Sequence, residues 1–445
     1  PWPNINKKAV ASLIYLCFMA FAASGAEQAN FSLLMLILSP AFALSLFFYS
    51  EAIQFRHLLV LGLAARLFML LSLPSLSDDF YRFLWDGLVL LDGYNPYLYT
   101  PEEFVQLTGE ISPYQELFPF LNSPAYFSVY PPLSQVLFLL VTLLSGSSPF
   151  TFQLIMGALF IIADVLILYL LAKLLDHFGH SRKWLSLYFL NPYVILEFCG
   201  NLHLDFLMVL GLLASIYFIL KEQYAWTVLA ALGATAIKPQ FVILFPFILL
   251  LIKSPYKIFA VGVIYTLLVL ISYSPFILNF KILGFDNSLD LYFRKFEFNG
   301  SLYLFFRWIG FQRTGYNAIA VIGPSMAIAA ATIISALYMW ALFLKKKTIS
   351  TTSILQFSLW SFVIYLLFST TVHPWYLAPV LAIGILLQQK WVVFWSFAIM
   401  WSYSFYDPAC SEWHLVLGIS SYLATLVVFL IEGHKKREAF GNAPL

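Results

Sequence analysis

Residues 150–172 read FTFQLIMGALFIIADVLILYLLA, an apolar run carrying one charged side chain, Asp164. Wound as an α-helix at about 1.5 Å per residue, it is about 35 Å long, enough to cross a hydrocarbon core of roughly 30 Å. An aspartate inside such a run is costly and calls for a partner. Arg66, deep in another apolar run, is the expected one, in a structural ion pair.

Comparable stretches lie at 9–25, 31–50, 57–73, 184–200, 203–220, 256–277, 316–344, 351–369 and 414–432. Residues 224–253 read as a helical hairpin broken at Lys238-Pro239, and 375–406 as two short helices split near Gln388-Gln389-Lys390. The expected fold is an all-α polytopic membrane protein, a bundle of about fourteen transmembrane helices. Composition agrees: of 445 residues 61% are hydrophobic, 19% aromatic and only 10% charged. An average soluble domain is about a quarter charged. A net charge of +2 without a long basic run argues against a nucleic-acid partner. The cysteines, Cys17, Cys199 and Cys410, are too far apart to suggest a metal motif or disulfide framework. The first apolar stretch, after Lys7-Lys8, lacks a convincing cleavage site and reads as a retained helix.

Residues 131–145, after Pro131-Pro132, are apolar but short. Lysine and arginine collect in cytoplasmic loops. If 131–145 does not cross and the N-terminus is cytoplasmic, most basic residues fall inside, from Lys7 and Lys8 to Lys345-Lys346-Lys347 and Lys435-Lys436-Arg437. The segment therefore reads as re-entrant or surface-lying, with both termini cytoplasmic. Three regions follow: N-terminal transmembrane helices (1–73), an external loop with juxtamembrane helices and acids (74–149), and a transmembrane bundle (150–445) with an external loop at 278–315. His203, His373 and His414 then lie outside with the aromatic and acidic loop.

That loop opens with Ser77-Asp78-Asp79-Phe80-Tyr81-Arg82-Phe83-Leu84-Trp85-Asp86-Gly87. Asp79, Arg82 and Asp86 share a face at helical spacing. A carboxylate here suits a general base, with Arg82 orienting it or binding an anion. The plainer account is a capped amphipathic helix with acids in its first turn. Gly93-Tyr94-Asn95-Pro96-Tyr97 and Tyr130-Pro131-Pro132 supply turns; Asn95 and Tyr130 either contact a sugar or only punctuate the loop. Asn201, His203 and Asp205 alternate at the outer end of a hairpin and suit a cavity mouth. Lys238 at its helix break either meets a phosphate or snorkels to the surface. His373, Trp375 and Tyr376 form another outer cluster. Arg294, Lys295, Arg307 and Arg313 are basic residues where such residues are scarce, suited to a phosphate or to lipid head groups.

The succession Ser-Asp-Asp-Phe-Tyr-Arg-Phe-Leu-Trp-Asp-Gly, Gly-Tyr-Asn-Pro-Tyr, Tyr-Pro-Pro-Leu, Asn-Leu-His-Leu-Asp, Lys-Pro-Gln and His-Pro-Trp-Tyr-Leu resembles polyprenyl-phosphate-mannose-dependent glycosyltransferases of the GT-C fold, over about residues 74–380. The resemblance implies inverting transfer of a sugar, mannose by analogy, from a polyprenyl-phosphate donor to an acceptor hydroxyl on a glycan, lipid or protein, at the outer face of a bacterial inner membrane. It implies Asp79 as base, with Asp78 as the alternative. Arg82, Lys238, Arg294 and Arg307 become donor-phosphate candidates. Asp86, Asn95, Tyr130, Asn201, His203, Asp205, His373, Trp375 and Tyr376 become cavity residues. No cofactor is implied; some members use a divalent metal, but no closed ligand set is visible. The first two helices look like an addition to the fold. The rival reading is a secondary transporter or lipid flippase, which also uses broken helices and intramembrane charges. No internal repeat supports it.

Overall fold

A computed structural model describes residues 6–109, 113–278, 294–346 and 349–441. Part of the expected external loop, 279–293, lies outside the described residues. The α-helices of eight residues or more among them are α1 (Lys7–Gly25), α2 (Phe31–Ser50), α3 (Phe55–Leu70), α4 (Asp79–Leu91), α5 (Pro101–Thr108), α6 (Pro132–Ser145), α7 (Pro149–His177), α8 (Asp205–Leu220), α9 (Tyr224–Ile237), α10 (Pro255–Leu278), α11 (Ser301–Thr314), α12 (Ile319–Lys345), α13 (Thr351–Phe368), α14 (Ala378–Leu386), α15 (Lys390–Ala398) and α16 (His414–Gly441).

Local chemistry sets several starts. Asn30 caps α2 by accepting the Leu33 N–H at 3.1 Å. Thr100 and Glu103 form a reciprocal capping box on α5. Ser148 caps α7 and Pro149 follows at its first position, where a missing N–H costs nothing.

The chain is a multi-pass all-α membrane protein. By length and composition α1, α2, α7, α10, α12, α13 and α16 can each cross a bilayer. Their outward faces are apolar: Leu13, Phe259, Val321 and Ile328 are each about two-thirds exposed, which suits lipid and not water. The core helix α14 is buried on every side, as expected of a helix apolar all round.

The expected count of about fourteen divides differently. Seven spans are continuous. Other expected crossings are short or interrupted, and prolines account for much of this. The run 184–200 does not form one helix. It proceeds through short helical turns to Pro192, whose missing N–H breaks the ladder, and ends in a π-helical turn, Ile195–Gly200. Pro192–Gly200 and α8 then meet at 111°, a sharp bend in place of the expected antiparallel hairpin. Similarly, α9 stops at Ile237 and Lys238 is extended. A 3₁₀ turn, Pro239–Ile243, and the short helix Phe245–Leu249 stand where the hairpin's second arm was expected.

The break before Pro192 leaves carbonyls without helical partners, and buried side chains meet them. Arg66 donates to Phe189 O at 2.9 Å and Gly62 O at 2.8 Å, and Tyr15 donates to Leu190 O at 2.8 Å. The rest of the Arg66 guanidinium pairs with Asp164, Nε to Oδ2 at 2.6 Å, and Tyr188 donates to Asp164 Oδ1 at 2.9 Å. The ion pair expected from sequence thus also closes a helix break.

Helix α6 covers the segment 131–145. At about 1.5 Å per residue it is about 20 Å long, short of the hydrocarbon thickness. It packs against α4 at Gly87, where an added Cβ would lie 2.9 Å from Phe138 O and 2.1 Å from Thr142 Oγ1. Lys8 donates to Glu51 O at 3.0 Å, and Gln28 N to Ser75 O at 3.2 Å. The first contact joins the start of α1 to the end of α2; the second joins the opposite ends of α1 and α3. Asp79 therefore lies at the opposite end of the bundle from Lys8.

Candidate functional site

The site begins where α3 has ended and α4 starts. Asp78 occupies the N-cap position without a side-chain capping bond; Ser77 Oγ accepts the Asp79 N–H at 3.3 Å instead. Asp79 stands in the first turn, where the helix dipole favours its negative charge. It is half-buried, and its Oδ1 accepts from Asn122 Nδ2 at 3.0 Å. Asp78 is exposed, yet desolvation by its surroundings and then the charge of Asp79 hold its carboxyl above the usual range. The two adjacent acids are therefore inequivalent: one is oriented by an amide, the other is not capped and is harder to ionise.

Behind them the loop is tied to the bend. Asn201 Oδ1 accepts the Leu76 N–H at 3.2 Å. Glu197 Oε1 accepts from Tyr403 Oη at 2.8 Å, and its Oε2 lies 3.2 Å from His203 Nε2. The His203 ring stacks on Trp375 at 3.6 Å between centroids and 14°. The other indole face carries His373 at 4.4 Å and 3°, and Phe298 follows at 4.6 Å. Trp375 is thus sandwiched between two imidazoles, which denies its faces to a sugar ring. Tyr193 donates to Pro374 O at 3.0 Å and secures this turn. Residue 298 is brought here by backbone pairing: Phe298 N donates to Thr370 O at 3.1 Å and Val372 N to Phe298 O at 2.8 Å.

Lys238 pairs with Asp205 at 2.8 Å and lies 5.7 Å from the Tyr376 ring centroid. The charge of Asp79 reaches both His203 and Tyr406. The Tyr406 hydroxyl is pushed up, first by burial and then by Asp79, Glu197 and Asp78. Burial, then the charge of a protonated His203 that its own ionisation would have to oppose and the ammonium of Lys238, push His373 down to about 3. Asp78, Asp79, Asn201, His203, Asp205, Lys238, His373, Trp375 and Tyr376 thus form one neighbourhood at one end of the bundle.

Other expected site residues lie elsewhere. Arg82 pairs with Asp86 at 2.8 Å and donates to Tyr126 O at 3.0 Å. The second Asp86 oxygen accepts from Ser128 and, at 2.8 Å, from Gln135. Asp86 is fully buried, so it sits in a closed network and not on a cavity wall. Asn95 is exposed and folds its own turn by accepting the Tyr97 N–H at 3.0 Å. Tyr130 accepts from Tyr97 Oη through its carbonyl at 2.6 Å, and its ring packs against Phe83 and Phe138. Arg307 is paired with Glu297 at 3.1 Å, and Arg294 is exposed at the start of the segment that leads to it. Among the described residues no group of three or more His, Cys, Asp or Glu is placed to hold a metal ion.

Sequence reasoning missed Asn122, Tyr403, Tyr406 and Phe298 as members of this neighbourhood. Each arrives from a distant segment with no local motif. Glu197 carried a signal, an acid within an apolar run, but its partners did not.

Fold and site together define a multi-pass helical membrane protein with an acidic, histidine-bearing site at one end of its bundle. A family model described as Alpha-(1->6)-mannopyranosyltransferase, N-terminal domain, matches residues 13–254, and the chain belongs to this family. It is a GT-C mannosyltransferase-like family. The match begins inside α1, so the first two helices are part of the family's domain and not an addition to it. The chain is similar to Alpha-(1->6)-mannopyranosyltransferase A of Mycobacterium tuberculosis (strain ATCC 25618 / H37Rv), 26% identical over 182 residues. That alignment covers 40% of this chain and 34% of the relative, so the chain spans about a third of that relative's length. No solved structure matches.

Proposed function

We propose that this protein transfers a mannosyl group, with inversion, from a polyprenyl-phosphate donor to an acceptor hydroxyl on a glycan at the extracytoplasmic face. Family membership supports the mannosyl chemistry. The observation that carries the mechanism is Asp79: half-open, oriented by Asn122, and adjacent to buried polar groups contributed by distant segments. In this reading Asp79 takes the acceptor proton as the new glycosidic bond forms, and the bond to the polyprenyl phosphate breaks. The departing phosphate needs compensating positive charge more than a proton. Lys238, close to Tyr376, lies in this neighbourhood and is assigned that task in this reading, which requires it to share its charge between Asp205 and the phosphate. A lipid-linked donor reaches such a site from the bilayer plane, which gives the membrane a direct part in catalysis.

The test uses membranes containing the full chain and a panel of polyprenyl-phosphate sugars. Consumption of the mannosyl donor with formation of a glycoside is expected. Asp79→Asn should lose at least about 100-fold in rate, the scale of general-base catalysis, with folding intact. Full activity would remove Asp79 as base. Movement of the donor between leaflets with no product would favour the transporter reading. Cysteines placed singly at 120 and 346 should label from the outer and inner sides respectively; the reverse would overturn the sidedness.

A further inference from the structure

The bend between Pro192–Gly200 and α8 carries two backbone irregularities within a few residues. Ile195–Gly200 is a π-helical turn, and Leu202, fully buried, has φ of +59°. A bulky residue in the left-handed region is strained, and such strain persists only where surrounding structure over-determines it. Single π turns often occur at functional sites. Here they have one evident result: the Glu197 carboxylate is brought against the His203 imidazole. Asn201 N donates to Leu196 O at 2.7 Å and His203 N to Glu197 O at 3.1 Å, so the turn closes back on itself.

Both side chains are held by named neighbours. Tyr403 fixes one Glu197 oxygen, and the amide of Asn201 lies beside the same carboxylate. Trp375 covers a face of His203. Glu197 Oε2 and His203 Nε2, 3.2 Å apart, have no hydrogen-bond partner among the described residues beyond that contact. A carboxylate facing one ring nitrogen selects the tautomer that carries its proton there.

We infer that Glu197 is a positioning residue: it holds the His203 proton on Nε2, so that Nδ1 keeps its lone pair and accepts a hydrogen bond from a hydroxyl of the bound sugar beside Asp79. This rests on the reading of the protein as a sugar transferase. Glu197 itself touches no substrate. It acts through His203, as outer partners do that orient a reacting group or ligand.

Glu197→Gln, His203→Gln and the double variant test this in the full-length membrane protein, with Tyr403→Phe as a milder probe. A glutamine in place of Glu197 has one acceptor end and one donor end, so it cannot accept from both Tyr403 and Nε2–H. Each single substitution should lower kcat roughly 10- to 100-fold, leave the donor KM within about threefold, and leave the protein folded at the assay temperature. The double variant should be no worse than the poorer single one, because residues acting as a unit do not add. Tyr403→Phe should lower kcat several-fold in the same direction. Wild-type kcat in Glu197→Gln, losses that multiply in the double variant, or a change confined to KM would each overturn the assignment. If Glu197→Gln does not fold, an unaltered kcat in Tyr403→Phe overturns it. A wild-type protein that transfers no sugar defeats the functional reading; an active wild type with indifferent variants defeats this inference alone.

Discussion

Two sets of buried polar groups differ in how completely they are enclosed. In the first, Arg66, Asp164 and Tyr188 satisfy one another and the carbonyls around Pro192, while Arg82, Asp86, Ser128 and Gln135 do the same beneath α4. In the second, Glu197, His203 and His373 sit on irregular backbone beside a half-exposed aspartate, and the Nδ1 of His373 is buried without a hydrogen-bond partner among the described residues. Buried charge is tolerated when its partners come from the protein. In the first set every charge is paired with an opposite one, although Gln135 Oε1 has no hydrogen-bond partner among the described residues, and the set holds helices together. The second is incomplete, and incompleteness beside an opening is what a substrate would supply. Most of the charged residues that attracted attention in the sequence fall into one set or the other, and only the neighbours decide which.

The contrast can be broken at its strongest point first. Arg66→Ala leaves Asp164 buried without its cation and frees the carbonyls at the helix break. A loss of about 3–5 kcal/mol, or failure to fold, is expected, measured by denaturant unfolding in detergent. A stable Arg66→Ala protein would mean that the closed set does not hold the bundle. Gly87→Ala should cost about 3 kcal/mol, because the new methyl meets backbone at Phe138 as well as the Thr142 hydroxyl. Asp79 lies about two turns away along α4, so a stability loss greater than any activity loss would keep the two sets distinct.

The open set has a pH signature. His373 titrates near 6.5 in an unfolded chain and about 3 in the folded one. Its folded value is depressed, so its stability contribution is present above pH 6.5 and is lost as pH falls. At about 1.4 kcal/mol per unit, the loss reaches roughly 2 kcal/mol by pH 5. Comparing unfolding at pH 7.5 and pH 5, His373→Phe should flatten that slope; an unchanged slope would assign it to other groups. The smallest effect belongs to the rim. Asn95→Ala removes the hydrogen bond that the side chain accepts from Tyr97 N, so it should cost about 1 kcal/mol and leave sugar transfer at the wild-type rate. A large loss of transfer would bring Asn95 into the site after all.

Much of the architecture was legible in advance because hydropathy is a one-dimensional property. The long runs at 31–50, 150–172 and 351–369 reappear as α2, α7 and α13, and the split near Gln388-Gln389-Lys390 reappears between α14 and α15. The failures share a physical cause. The run 184–200 looked like a span because its composition is apolar, but Asn191-Pro192 ends the helical ladder within it. The absent N–H is visible in sequence, while the guanidinium that makes the break tolerable comes from residue 66. The same holds for charges. Arg82 looked available for a phosphate, and Asp86, four residues on, was already its partner. Arg307 found Glu297.

From sequence alone this chain was determined to be helical and membrane-embedded. The bilayer demands apolar side chains and internally paired backbone, and both requirements are met residue by residue along the chain. The acidic pair at 78 and 79 was also visible, since helix starts favour acids. Tertiary structure decided which charges are paired with each other and which remain beside an opening. That depends on distances between residues up to about two hundred positions apart, such as Glu197 and Tyr403, and pairing at such range leaves no periodicity or local spacing to read.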